Sequence, residues 1–413
     1  MDQGLLSFTS FMTGILIGRS CSKAELGIYA LGLSIVVIFT EFQTAVISTP
    51  YLVYSSRLKD DDHRRYAGSV LIHQLVFSLL VSFILFAGLG LLSFGFGPKS
   101  LADIVQVLIL LIGFIMFKEF LRQLCYASLK AKTVITLDLI IAIIQIGGLS
   151  LLGFYGALSA YRAFIITGTA CGLTSIGWLM LNRNVFLPKL NKAWPAFRQN
   201  WKFIRWLAAS HLLWTTVNAF SPWLIAAFLG VDANGIWAAC FGVATVGNLL
   251  LGGMYNIAGP RIIHVYARGG ALEMRNLVFK SAMLFVFVMS VFCVVVIFFG
   301  DMAVVLFYGK KYAGNALLVS ALALNLVVSS ATFPFSRGLF AMERADVDFK
   351  INLVSVFMMV LTVYLIRTFG LLGAACGLIA SNVFSVLLRG GAFVVVVQNK
   401  ITAMRTAEEQ PAL

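Results

Sequence analysis

Long apolar runs separated by short polar breaks dominate the chain. Runs of about 20 residues, long enough to cross a bilayer as a helix, recur twelve times. In the first half they lie near residues 2–18, 28–52, 68–94, 102–126, 134–154 and 157–181. In the second half they lie near 204–229, 233–258, 277–299, 314–336, 350–367 and 371–397. Between the sixth and seventh runs is one longer polar stretch, Asn182 to Arg205, with six basic residues (Arg183, Lys189, Lys192, Arg198, Lys202, Arg205), two prolines and no acid. The pattern predicts an all-α membrane protein with about twelve transmembrane helices in two six-helix lobes, 1–181 and 206–400. A basic linker, 182–205, joins the lobes, and a tail, 401–413, follows them.

Composition agrees with this reading. The chain is 60% hydrophobic and only 12% charged, with a mean hydropathy of +0.94, whereas soluble domains carry about 25% charged residues. The net charge of +14 is not gathered into a nucleic-acid-binding module. The cysteines Cys21, Cys125, Cys171, Cys240, Cys293 and Cys376 are scattered, with no CxxC pair or neighbouring histidine, and read as packing residues. Met1 leads straight into an apolar run without a basic flank or a cleavage site, so no cleavable leader is expected; the first span is short, and the native N-terminus can be longer.

Positive charge sets the expected orientation. Of the 31 Lys and Arg residues, 24 fall on the even-numbered connections and the tail, and 7 on the odd-numbered ones. Positive charge accumulates on the cytoplasmic side, so both termini are expected there, in a multi-pass cell-membrane protein. The two halves also echo each other. Gly27-Ile28-Tyr29-Ala30 recurs as Gly235-Ile236-Trp237-Ala238, 208 residues on; Pro50 recurs as Pro260 and Arg65 as Arg275, 210 on; Phe120, Arg122 and Leu124 recur as Phe335, Arg337 and Leu339, 215 on. Asp138 has Asn352 as its counterpart, 214 on. Six spans per repeat return the chain to its starting side, so the repeats are parallel and a substrate path is expected between them.

The opening DQGLLSFTSF, the turn Lys23-Ala24-Glu25-Leu26-Gly27-Ile28-Tyr29-Ala30, Thr49-Pro50 and the two-lobe layout resemble the Wzx-type polysaccharide flippases of the multidrug/oligosaccharidyl-lipid/polysaccharide (MOP) exporter superfamily. The resemblance implies alternating-access transfer of polyprenyl-pyrophosphate-linked oligosaccharide from the cytoplasmic to the outer leaflet for cell-surface polysaccharide biosynthesis. It implies a cavity lined mainly by helices one, two, seven and eight. Its partners would be the lipid-linked oligosaccharide, membrane lipids, a coupling ion (H+ or Na+) and polysaccharide polymerase or assembly proteins, without cofactor or nucleic acid.

Several residues suit such a cavity. His211, Thr215, Asn218 and Pro222 share one face of the seventh span, and Ser7, Ser10 and Gly14 fall opposite the last three by the 208-residue offset. The same small polar side chains also serve to glue helices together. Glu41, inside the second span, and Asp138, inside the fifth, either bind a coupling ion or make an interhelical bond. Arg122 and Arg337 either grip pyrophosphate or snorkel to the interface. Arg19 and Arg162 anchor helix ends or receive the head group, and His73 reads as packing or a pH-responsive group. The run Lys59-Asp-Asp-Asp-His-Arg-Arg65 mixes acids with bases and reads as a solvated loop, not a metal site. Alternatives are a lipid II flippase of the MurJ type, which carries two more spans, and a MATE-type antiporter of small cations. An enzyme is disfavoured: no paired-carboxylate, phosphate-loop or nucleophile motif is present, and the outer connections are short.

Overall fold

The computed structural model describes residues 2–55, 57–94 and 99–409, and no strand occurs among them. An all-helical chain is what a bilayer imposes, since each helix satisfies its own backbone groups where water is absent. In chain order, α1 is Asp2–Ser20 and α2 spans 23–55 in three pieces: Lys23–Gln43, a π-helical turn Thr44–Ser48, and Thr49–Ser55. Then come α3 (Asp60–Ser93), α4 (Lys99–Ala127), α5 (Ala131–Phe154) and α6 (Ala160–Leu181). Helix α7 covers 190–229 as Leu190–Ala219 and Ser221–Leu229, divided where Pro222 opens the second piece. From Leu190 onward the basic linker is therefore helical and continuous with the seventh span.

Helix α8 runs from 231 to 269, with a break at Thr245 and Val246, and α9 runs from 271 to 308. The chain reverses between them at Gly270, whose φ of 71° suits only glycine. The reversal is visible in Tyr255 and Phe285, thirty residues apart in sequence, whose rings lie 5.6 Å apart. The sequence pattern leaves 259–276 as a connection, but both helices extend through it and the turn shrinks to a glycine. Helix α10 is Ala316–Ser330 with Thr332–Ala341, and α11 (345–369) and α12 (371–409) meet at Gly370, φ 61°. Among the described residues eight stretches are long and apolar enough to span a membrane. Two of these, Gly247–Tyr308 and Asp346–Thr402, are the hairpins just described, and with α1 and α7 the set fits twelve helices.

The chain forms two compact units, 1–238 and 239–413. The first closes around Tyr51, Ala67, Phe120, Leu124, Trp178 and Ile204; the second around Ile262, Met274, Phe285, Phe335, Leu339 and Phe393. Phe120 with Phe335, and Leu124 with Leu339, thus hold matching core places in the two units at the 215-residue offset.

The Lys23–Ala30 turn has a structural task at each key residue. Ser22 Oγ accepts from the Glu25 amide at 3.2 Å and caps α2, the first half of a capping box. The Glu25 carboxylate accepts from the Ala160 amide at 2.5 Å, closing the N-terminus of α6. Gly27 meets the start of α8 so closely that a Cβ there would lie 2.1 Å from the Val231 carbonyl oxygen. A Cβ on Gly235 would lie 1.9 Å from the Lys23 carbonyl oxygen. Gly27 and Gly235 are 208 apart, as are Lys23 and Val231, so equivalent segments of the two repeats touch reciprocally, as across a local two-fold axis. Buried Asn234 locks the crossing by donating to the Gly27 carbonyl at 2.8 Å.

An alanine in a helix interior is normally worth about 0.5–1 kcal/mol over glycine. Gly27→Ala is expected to reverse that sign and lower the melting temperature in detergent, because overpacking against rigid backbone costs about 1–3 kcal/mol. Gly4→Ala, where a Cβ would meet open space, is the control and should not fall. Equal melting temperatures for both variants would contradict the close crossing.

Candidate transport site and buried charge networks

Helix α2 has two chemically different faces. Gln43 is fully buried and donates through Nε2 to the Met116 carbonyl of α4 at 3.0 Å. Glu41, two residues earlier and so about 200° around the helix, is only half-buried. It shares its face with exposed Leu33 and Val37 and half-buried Thr40. The Thr40 and Thr44 hydroxyls donate to backbone carbonyls of Val36 and Thr40 at 2.8 and 2.9 Å. Thr49 Oγ1 donates five residues back, to the Thr44 carbonyl at 2.9 Å, across the π turn that precedes Pro50.

Helix α1 is divided in the same way. Thr9 and Thr13 are buried, and Gln145 of α5 donates to Thr13 Oγ1 at 2.9 Å. Ser7 and Ser10 are exposed, and Gly14 is half-buried between them and the buried side. On α7, Thr215 is buried, and Trp223 Nε1 donates to Ser34 Oγ of α2 at 2.8 Å. The side chains of His211 and Asn218 lie outside the described residues. Helix α2 packs against both α1 and α7, so Ser7, Ser10, Glu41 and Thr215 belong to three neighbouring helices of the first unit.

The membrane-embedded charges are gathered elsewhere. Arg122 is buried and donates through Nε to Asp138 Oδ2 at 3.0 Å and through Nη1 to both Glu119 oxygens at 2.8 and 3.0 Å. Lys118 Nζ stands 3.5 Å from Glu119, and Gln123 donates to it at 3.1 Å. Two cations and two carboxylates therefore balance, which is how buried charge is tolerated. In the second unit Arg389 of α12 donates to Asp348 Oδ1 at 2.8 Å and Asn352 Oδ1 at 2.6 Å of α11, and bonds Ser385 Oγ; Ser336 of α10 bonds the other Asp348 oxygen. Asp138 and Asn352, repeat counterparts, each hold a buried arginine, supplied by α4 in one unit and by α12 in the other. Arg337 is exposed, with its guanidinium 5.0 Å from the Phe333 ring centre and 5.9 Å from that of Phe340.

Sequence reading singled out Arg122 and Asp138 but not their partner Glu119, nor Asp348 and Arg389. Glu119 was legible as the residue three before Arg122, the spacing of neighbours on a helix. Arg389 lies near the end of an apolar run, and nothing in its sequence neighbourhood marks α11 as its partner. Among the described residues no cluster of His, Cys, Asp or Glu is suited to a metal, and the six cysteines are free.

This arrangement of helices has known relatives. The profile of a polysaccharide biosynthesis protein family matches residues 59–254. The capsular polysaccharide biosynthesis protein CapF of Staphylococcus aureus is 23% identical over 142 residues, 34% of this chain; the match spans 36% of that protein's length. The fold matches an inward-facing multidrug resistance MATE family transporter of the MOP superfamily, with TM-score 0.75 and 15% identity over 96% of this chain and 95% of that one. It also matches a MOP superfamily transporter from Pyrococcus furiosus whose binding pocket is described as of reverse polarity, with TM-score 0.68 and 11% identity over 96% and 93%. The fold is therefore the one seen in those transporters, and the apolar helices make the chain a multi-pass membrane protein. In sequence, the chain is similar to polysaccharide biosynthesis proteins.

Arg122→Met leaves two buried carboxylates with one cation. Breaking such a pair costs about 3–5 kcal/mol, so the variant should melt well below wild type in detergent. Adding Asp138→Asn restores the balance and is expected to recover at least half of the loss. A double variant no more stable than the single one would show that charge balance is not what the network supplies.

Proposed function

We propose that the chain flips polyprenyl-pyrophosphate-linked oligosaccharide across the cell membrane, from the cytoplasmic to the outer leaflet, for polysaccharide biosynthesis. The observation that carries this reading is the join of a MOP transporter fold with a polysaccharide biosynthesis profile over residues 59–254. The uncovered polar faces support it. Serines and a carboxylate do not suit hydrocarbon, so Ser7 and Ser10 of α1 and Glu41 of α2 are best placed against a water-filled path that accepts a sugar head group. Thr215, buried on α7 beside α2, backs that path from the neighbouring helix. Small hydroxyls bind sugars by hydrogen bonds, and a single carboxylate can hold a coupling proton or Na+.

Arg122 and Asp138 act in this reading as a brace behind the path. An anionic ligand would have to displace Glu119 and Asp138 from a guanidinium that already donates to both. Exposed Arg337 remains available to a pyrophosphate. The basic linker, with the charge asymmetry of the connections, favours both termini on the cytoplasmic side. The lipid tail stays in the bilayer while the head group crosses, so no covalent chemistry is asked of the chain.

Purified protein in liposomes carrying a fluorescent polyprenyl-pyrophosphate oligosaccharide tests the proposal through the fraction reached by an external quencher. Protein-dependent equilibration between leaflets is expected, and Glu41→Gln, in protein that remains folded, should slow it at least tenfold. No movement of the lipid-linked sugar, together with ion-driven uptake of a cationic dye by the same liposomes, would overturn it in favour of a MATE-type antiporter.

A further inference from the structure

The second unit carries a groove of about 530 Å³ lined by Arg275, Asn276, Phe279, Lys280 and Met283 of α9 and Val394 of α12. Its polar side chains belong to the first turns of the helix. Phe279 and Met283 continue from Arg275 at i+4 and i+8, toward the strongly apolar middle of α9. Phe279 is held in place by Phe335 and Phe393, at 5.6 and 6.3 Å between ring centres. The groove therefore offers cations at one end and hydrocarbon contacts at the other.

Comparison of the repeats shows that this character is particular to the second unit. Arg65, the counterpart of Arg275, has Asp62 within 3.5 Å. The position equivalent to Asp62 is Leu272, so the acid is missing, and no ion pair of Arg275 or Lys280 occurs among the described residues. The counterpart of Lys280 is Val70, fully buried in the first unit. There the linker covers α3: Gly68 lies against Leu187 and Pro188, and Tyr66 donates to Asn200 Oδ1 at 3.0 Å. In the second unit the matching surface stays open, with Arg275 half-buried and Lys280 exposed.

We propose that this groove binds an anionic phospholipid of the surrounding bilayer. Arg275, Asn276 and Lys280 hold the phosphate, and Phe279, Met283 and Val394 carry the upper part of an acyl chain. Charge complementarity selects this occupant: two uncompensated cations sit at the end of an apolar span, the depth of the headgroups, where basic side chains attract acidic lipids. The site is separate from the transport path on α1, α2 and α7, and its occupancy is read without transport.

Native mass spectrometry of the full chain, titrated with phosphatidylglycerol or phosphatidylcholine, tests it. A one-to-one phosphatidylglycerol adduct is expected at lower lipid concentration than the phosphatidylcholine adduct. Arg275→Gln with Lys280→Gln should weaken it roughly tenfold or more, whereas Arg65→Gln should leave it unchanged. Equal adducts with both lipids, or a double variant that holds phosphatidylglycerol as wild type does, would overturn the proposal. So would phosphatidylglycerol uptake seen only in a variant lacking residues 404–413 and not in the full chain, which would make the tail the occupant, or binding of polyprenyl phosphate there and not of phosphatidylglycerol.

Discussion

The fold depends on a place where two helices touch backbone to backbone. Gly27 and Gly235 each face a carbonyl oxygen of the other's segment, at distances that leave no room for even a methyl group. In a bilayer the hydrophobic effect does not drive helices together, and close packing of small residues has to. Reciprocity follows from the repeat: a residue that fits its counterpart on one side fits it again on the other. Ser22, Glu25 and Asn234 then fix the crossing by capping α2, tying α6 to it and bonding α8 to it. A motif first met as a short resemblance between halves is thus the point at which those halves' sequences meet.

The charged groups obey a second constraint. Inside a bilayer an ion needs a partner, and the two units meet this need with different parts. Arg122 reaches Asp138 from α4, and Arg389 reaches Asn352 and Asp348 from α12. The fifth helix of each repeat kept its polar residue while the arginine changed helices. Duplicated halves therefore share a requirement, a neutralised polar anchor on that helix, without sharing every side chain that meets it. The open basic groove of the second unit shows the same divergence at the surface, since Leu272 stands where Asp62 neutralises Arg65.

Much of this was legible in the sequence. Apolar run length gave the helices, because a bilayer fixes how long an apolar helix must be, and the constant offsets gave the repeat. Turn placement was less legible: the charged stretch 259–276 reads as a loop, yet it is helix on both sides of Gly270, because helices can project beyond hydrocarbon. The linker was misleading in the same way, being helical from Leu190. Side-chain direction was the least visible property. Ser7 and Ser10 do lie on an exposed face, but Thr9 and Thr13, equally polar, turn inward, Thr13 to accept from Gln145. Nothing in the composition of α1 separates those pairs; only the position of α5 does.

The contact between Gly27 and Gly235 is therefore the point whose loss should cost the fold most. Melting in detergent of Gly235→Ala, Asn234→Ala and the double variant tests this most directly. Each single variant is expected to melt below wild type, and the double variant to fall by less than the sum of the two losses, because both act on one crossing. Wild-type melting of Gly235→Ala would contradict it.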